Sequence, residues 1–224
     1  MNVAPGLAFD GMRAEPSPDW HSLDLFAPTD EHRLLAQTLT EFVTREVEPQ
    51  AAAYNRDEKF NRALFRRAGE LGLLGLTVPE QDGGGGLDAT ASVITHEALS
   101  TSDPGFALAY LAHSVLFVNN FYRNSSPEQR ARVLPQAISG EWVGGMCMTE
   151  PEVGTDVLGM KTTARRDGDH YVLDGRKTFI TNGSVDDTTL GDVFLVYART
   201  GERAVSTFVV EKGFAGFSLG QRLK

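Results

Sequence analysis

Residues that could do chemistry gather in two short stretches. The first runs from Trp142 to Asp156 and reads Trp-Val-Gly-Gly-Met-Cys-Met-Thr-Glu-Pro-Glu-Val-Gly-Thr-Asp. Trp142, Val143, Met146 and Met148 suit a strand, and Gly144-Gly145 leave room for a close approach to the backbone. Glu150-Pro151 cannot continue a ladder, because proline lacks an N–H and restricts the residue before it. Gly154, Thr155 and Asp156 then form a turn with short hydrogen-bonding groups. An apolar strand that ends in a donor-rich turn can hold a planar cofactor. The strand lies under the ring face, and amides and hydroxyls reach its edge. The second stretch begins with Asp174-Gly175, a hairpin signal, and continues through Arg176 to Gly183. It reads as a strand closed by the Asn182-Gly183 turn. Taken singly, each stretch is better read as part of an ordinary antiparallel sheet.

The remaining composition excludes several chemistries. The 224 residues carry a net charge of −9, which argues against a general binder of nucleic acid or anionic membrane. A single cysteine, Cys147, rules out an intrachain disulfide and makes a zinc site implausible. It reads as a small apolar filler, a use that fits a reducing compartment. No apolar run reaches the length of a membrane span. Met1 to Trp20 has acidic residues and prolines but neither the apolar core of a signal peptide nor an Arg-rich, acid-poor leader. A loose tail over residues 1–27 and a cytoplasmic location are the expectations.

Helices must carry the first half. Thr29 or Asp30 caps a helix with Leu35, Leu39, Phe42, Val43 and Val47 on one face, and Pro49 is expected to end it. A second helix spans about Phe60 to Leu71. Gly83 to Gly86 invite a phosphate-loop reading, but the Lys-Ser/Thr of such a loop is missing and no βαβ unit surrounds it, so a mobile surface connection is expected. Asp88 starts another helix. Asp103-Pro104 starts one that runs to about Tyr122, apolar nearly all round and so expected to be buried on every side. His113 on it reads as a core histidine bonded to a neighbour rather than a ligand-binding group. Ser126 to Gln129 form a capping box for a last helix ending at Ser139-Gly140.

Strands with turn signals follow: Lys161 to Arg166, Tyr171 to Leu173, Thr178 to Thr181, Val193 to Ala198 and Ala204 to Val210. Helices and then strands predict an α+β chain: a helical domain over residues 28–140 and a β domain over residues 141–224.

Together the two stretches resemble the acyl-CoA dehydrogenase family of flavoproteins. Met148 to Asp156 match its Glu-Pro-x-x-Gly-Ser/Thr-Asp turn, and Phe179 to Gly183 match its aromatic-Ile-Thr-Asn-Gly strand end. Val210 to Ser218 fit a later family segment. Leu108 to Ser114, Met148 to Pro151 and Val209 to Gly213 are similar to isovaleryl-CoA dehydrogenases. Phe179 stands where many members have tryptophan, and Gly183 to Asp192 make a longer loop than usual.

The resemblance implies an N-terminal helical bundle followed by an antiparallel β-barrel, with the family's base-bearing C-terminal helical domain absent. It implies FAD, bound by Met146, Cys147, Met148, Thr149, Glu150, Pro151, Glu152, Val153, Gly154 and Thr155 together with Phe179, Ile180 and Thr181. Thr149 would donate near the pyrimidine edge and Thr181 near N5. Thr155 and Arg203 would touch an acyl-CoA thioester. The implied reaction is α,β-dehydrogenation of a short or branched acyl-CoA, with an electron-transfer flavoprotein as acceptor and a homodimer or homotetramer as the complete form. No residue is assigned as the catalytic base; Glu150, before a proline in a turn, reads as structural, and residues 1–224 alone are expected to be inactive. A non-catalytic flavin- or acyl-CoA-binding subunit completed by a partner chain, and an acyl-CoA oxidase or nitroalkane-oxidase-like relative, are the alternative readings.

Overall fold

The computed structural model describes residues 29–220, so the tail expected over residues 1–27 lies outside the described residues. Helix α1 (Asp30–Phe42) starts where Thr29 accepts the His32 amide at 3.2 Å, with Asp30 and Glu31 facing the positive end of the helix. Pro49 does not end it. A π-helical turn, Val43–Val47, leads directly into α2 (Glu48–Arg56), and Pro49 occupies its first turn. A proline inside a continuous rod forgoes one backbone bond and crowds the preceding turn, and the widened π turn makes room for its ring.

Helix α3 (Arg62–Glu70) is capped by the Asn61 side chain. The four glycines beyond it form a folded turn rather than a mobile link. Their amides bond inward, Gly84 to the Pro79 carbonyl, Gly85 to Gly75 and Gly86 to Val78, so they are not free to cradle a phosphate. A Cβ on Gly84 would lie 2.1 Å from the Val78 carbonyl oxygen, which explains the residue. Helix α4 (Ala89–Ser100) is capped by Asp88, and α5 (Pro104–Leu111) by Asp103. A π segment, Ala112–Asn119, joins α5 to α6 (Asn120–Asn124) as one rod. The rod is not covered on every side: Phe106, Tyr110, Phe117 and Phe121 are buried, whereas Leu108 is exposed and Leu111 and Val115 are half-exposed. Helix α7 (Pro127–Ile138) has the expected capping box on Ser126 and Gln129.

After Gly140 come five strands: β1 (Gly144–Cys147), β2 (Thr163–Asp167), β3 (His170–Asp174), β4 (Val193–Arg199) and β5 (Val205–Glu211). They do not close into the expected antiparallel barrel. Among the described residues they form an open mixed sheet, in which β1 and β2 both run parallel to β4. Only β2–β3 and β4–β5 are antiparallel hairpins. Turn chemistry identifies hairpins because they are local, whereas the direction of β1 against β4 is set by a long connection that leaves no local mark.

Two further expectations fail here. Asp174-Gly175 ends β3 without returning it; of the two Asp-Gly pairs only Asp167-Gly168 makes a hairpin turn, between β2 and β3. Thr178 to Thr181 do not form a strand, for the reason given below. One apolar cluster joins α1, α3, α4 and α5; a second packs Phe117, Phe121, Val133 and Leu134 against Val193 and Leu195 of β4. This second cluster seats the sheet on the helices, each large buried side chain contributing about 1.5–3 kcal/mol. A third, Cys147, Phe194, Val196 and Val210, fills the other sheet face.

Candidate functional site

The two stretches singled out in the sequence lie side by side, antiparallel, although no continuous β-ladder joins them. The Thr178 amide donates to the Thr149 carbonyl at 2.9 Å. Lys177 Nζ donates to the Met148 carbonyl at 3.0 Å and to Glu150 Oε1 at 2.9 Å. Further along, the Thr181 carbonyl packs against Gly145, where a Cβ would lie 3.0 Å from it. Asn182 Nδ2 closes the set, donating to the Gly144 and Ala109 carbonyls. A regular ladder is broken by Phe179, held at φ +55, and by Asn182 at φ +64. Left-handed backbone is costly for a phenylalanine, while asparagine tolerates it. The reward is orientation: the Phe179 ring stands out of the surface, 73% exposed.

Along β1 the residues alternate. Cys147 points into the sheet core, where burial pushes its thiol up to about 12, so it stays a neutral filler as expected. Met146 and Met148 show on the opposite side, half-buried, with Asn120 Nδ2 3.9 Å from Met146 Sδ. Thr149, Ile180 and Thr181 are also half-buried, and Thr155 is exposed. No protein hydrogen bond to the hydroxyls of Thr149, Thr155 or Thr181 is made among the described residues. An exposed aromatic ring, two half-buried thioethers and three uncommitted hydroxyls suit a planar ring with a polar edge.

The turn itself is tight. Glu150 and Val153 exchange backbone bonds at 2.9 and 3.2 Å, leaving Pro151, Glu152 and Gly154 exposed and Val153 partly covered. Glu150 points inward and is 6% exposed. Burial alone would raise its pKa. Bonds from Thr162, from the Lys161 amide and from Lys177 outweigh that and hold it down to about 2. It is a fixed carboxylate committed to these partners, consistent with a structural role and unsuited to taking a proton. Arg203 lies exposed in the loop between β4 and β5, past the end of β4 that pairs β2. No contact among the described residues brings it to the two stretches.

Three positions fix the frame around the two stretches, and the sequence names the partners of none of them. Asp192, 3% exposed at its side chain, accepts from the Val143 amide at 2.7 Å, from Arg62 at 3.0 Å and from Lys212. Burial opposes its charge, but these donors prevail and lower its pKa. It ties α3 to the start of β1 and the end of β5. His113 is fully buried. Its Nε2 lies 3.0 Å from the Ala137 carbonyl, to which it donates, and Nδ1 accepts the Gly144 amide at 2.8 Å. Burial lowers its pKa to about 4, so the neutral ring is the native form. The expectation of a core histidine bonded to a neighbour holds, and that neighbour is β1 itself. Lys177 is the third. It sits within the second stretch, but nothing local marks it as buried.

Residues 29–141 match the model of the acyl-CoA dehydrogenase N-terminal domain, and residues 145–224 match that of the middle domain. A mitochondrial isovaleryl-CoA dehydrogenase from Pongo abelii is 38% identical over 203 residues, covering 87% of this chain and 47% of that protein. Among solved structures, a probable acyl-CoA dehydrogenase from Mycobacterium abscessus superposes with a TM-score of 0.80 at 34% identity, covering 88% of this chain and 52% of that one. A glutaryl-CoA dehydrogenase from Mycobacterium smegmatis in complex with FADH2 gives 0.78 at 30% identity, covering 85% and 47%. The chain spans about half the length of the curated relatives it matches. No described helix is long and apolar enough to cross a membrane.

Proposed function

Because this chain belongs to the acyl-CoA dehydrogenase family, we propose that it forms the flavin-holding part of an FAD-dependent enzyme that desaturates short or branched acyl-CoA thioesters. The observation that carries the reading is the pairing of the two stretches, which sets Thr181 and the exposed Phe179 against residues 145–149. In this reading residues 28–140 are a helical domain and residues 141–224 the flavin domain.

FAD, when bound, supplies a hydride acceptor at N5. The chain's own residues bind and orient it. Met146 to Met148 underlie the ring, with Thr149 donating at its pyrimidine edge. Glu150 to Gly154 shape the turn around it. Phe179 and Ile180 flank the ring, Thr181 donates near N5, and Thr155 also meets the pantetheine arm of the substrate. Arg203 is the weaker substrate contact, reached only at the edge of the sheet. Hydrogen-bond donors fixed before the reaction stabilise developing charge without reorganising. No carboxylate of these 224 residues is assigned as the base that removes the α proton, and Glu150 is already committed. The electron acceptor proposed is an electron-transfer flavoprotein, and the complete enzyme a homodimer or homotetramer.

The test is direct. Residues 1–224 are titrated with FAD from micromolar to millimolar and assayed with isovaleryl-CoA, a straight short-chain acyl-CoA and an artificial electron acceptor. Measurable but weak FAD binding without turnover is expected. No saturable FAD binding at all, or binding unaffected by loss of the Phe179 ring, would overturn the assignment.

A further inference from the structure

The two stretches are joined by one main-chain hydrogen bond, Thr178 to Thr149. Everything else that fixes their spacing near the turn passes through one ammonium group. Lys177 Nζ, its side chain 9% exposed, is bonded to the Met148 carbonyl and to Glu150, and lies 3.9 Å from Met160 Sδ. Glu150 in turn accepts the Lys161 amide at 2.6 Å and the Thr162 amide at 2.9 Å. The carbonyl that Lys177 holds belongs to the residue before Thr149. The lysine itself stands two residues before Phe179 and four before Thr181.

Resting on the flavin reading above, we infer that Lys177 is a positioning residue: it sets the distance between the Met148–Glu150 turn and the Phe179–Thr181 segment, and so the aperture that receives the flavin. A charge-assisted bond from a buried cation to a carbonyl is directional and short-ranged. A pair buried this deeply is a weak source of stability, since desolvation offsets most of the attraction, but it does define one geometry. Glu150 plays a different part. It neutralises the ammonium and gathers the two amides, and it makes no bond to the 178–181 segment. The Met148 tether and the charge pair are therefore separable.

The separation gives the experiment. Lys177→Met removes both the tether and the partner of Glu150. Adding Glu150→Gln removes the stranded buried charge; its single amide oxygen keeps one of the two amides, Lys161 on Oε2 or Thr162 on Oε1, and gives up the other. Leu134→Ala, in the cluster between α7 and the sheet, provides a fold weakened away from the site. Each is measured by thermal melt, by amide exchange of residues 145–150 and 177–183, and by FAD titration. Lys177→Met should exchange faster in both segments and bind FAD roughly tenfold more weakly, the size of one lost charge-assisted bond. The double variant should recover part of its melting temperature but none of its FAD affinity, and Leu134→Ala should melt earlier with FAD affinity unchanged. Wild-type FAD affinity in Lys177→Met overturns the inference. So does a double variant that regains affinity along with stability, since the pair would then be structural only. Failure of the wild-type chain to bind FAD overturns the flavin reading first, and the inference with it.

Discussion

Phe179 offers a measurement of strain held at the site. Its φ of +55 lies in the left-handed region, where an L-residue with a Cβ is disfavoured by roughly 1–2 kcal/mol. With 73% of the residue exposed, the ring contributes little burial, so removing it should cost the fold little. Phe179→Ala keeps the strained backbone and loses only the ring. Phe179→Gly relaxes the backbone as well, though glycine gives back about 0.5–1 kcal/mol through its freer unfolded chain. The glycine variant should therefore exceed the alanine variant by up to about 1.5 kcal/mol. For a chain of this size each kcal/mol is about 2–4 °C in melting temperature. Flavin should respond differently: both variants lose one aromatic contact worth about 0.5–1.5 kcal/mol and should bind FAD equally, two- to tenfold more weakly. Melting curves followed by circular dichroism, alongside FAD titrations, decide the point. An alanine variant more stable than the glycine variant would refute the strain argument, whatever the flavin result.

Other consequences can be checked independently. In FAD-loaded enzyme, Thr181→Val should perturb the flavin absorbance spectrum and slow reduction, the loss of one hydrogen bond worth on the order of 0.5–1.5 kcal/mol; an unchanged spectrum and rate would count against the assignment near N5. His113 has a native pKa of about 4 against an ordinary value near 6.5, so the unfolded chain takes up its proton first as pH falls. Stability from this residue is complete above about pH 6.5 and drains away toward pH 4, by up to about 3 kcal/mol. His113→Gln, which keeps a donor and an acceptor, should flatten that part of the pH–stability profile. Asp192→Asn should cost about 1–3 kcal/mol, by weakening the bonds from the Val143 amide, Arg62 and Lys212 while the two cations can still reach water, seen as an earlier denaturant midpoint; a midpoint within error of wild type would mean the node is not buried as described.

What was legible in the sequence was local. Thr29, Asp88, Asp103 and Ser126 announce helix starts because a cap acts within three residues of itself. Hairpin β4–β5 is readable for the same reason. Pro49 misleads because a proline in a first helical turn and a proline ending a helix look alike until the π turn before it is seen. Thr178 to Thr181 have strand-forming residues, but a positive φ at Phe179 depends on contacts with a segment some thirty residues earlier. The buried partners of Glu150 and Asp192 come from distant parts of the chain, and no pattern of neighbours specifies them. The open mixed sheet is not legible because parallel pairing carries no turn signature.

The parallel register of β1 on β4, Gly144 opposite Val193, has a kinetic meaning. Hairpin β4–β5 and the helical rods are made of short-range contacts and need little chain closure. Strand β1 can join β4 only by closing a loop of about fifty residues, which places that step late in folding. The Met148–Asp156 turn and the Phe179 segment lie within that loop, so the aperture around Phe179 comes into being together with this long-range closure. Substitutions in β5 should then alter the rate at which binding capacity appears after dilution from denaturant, although they touch neither stretch. A ligand spanning the two stretches favours the closed form by mass action, slowing its reopening rather than hastening its formation.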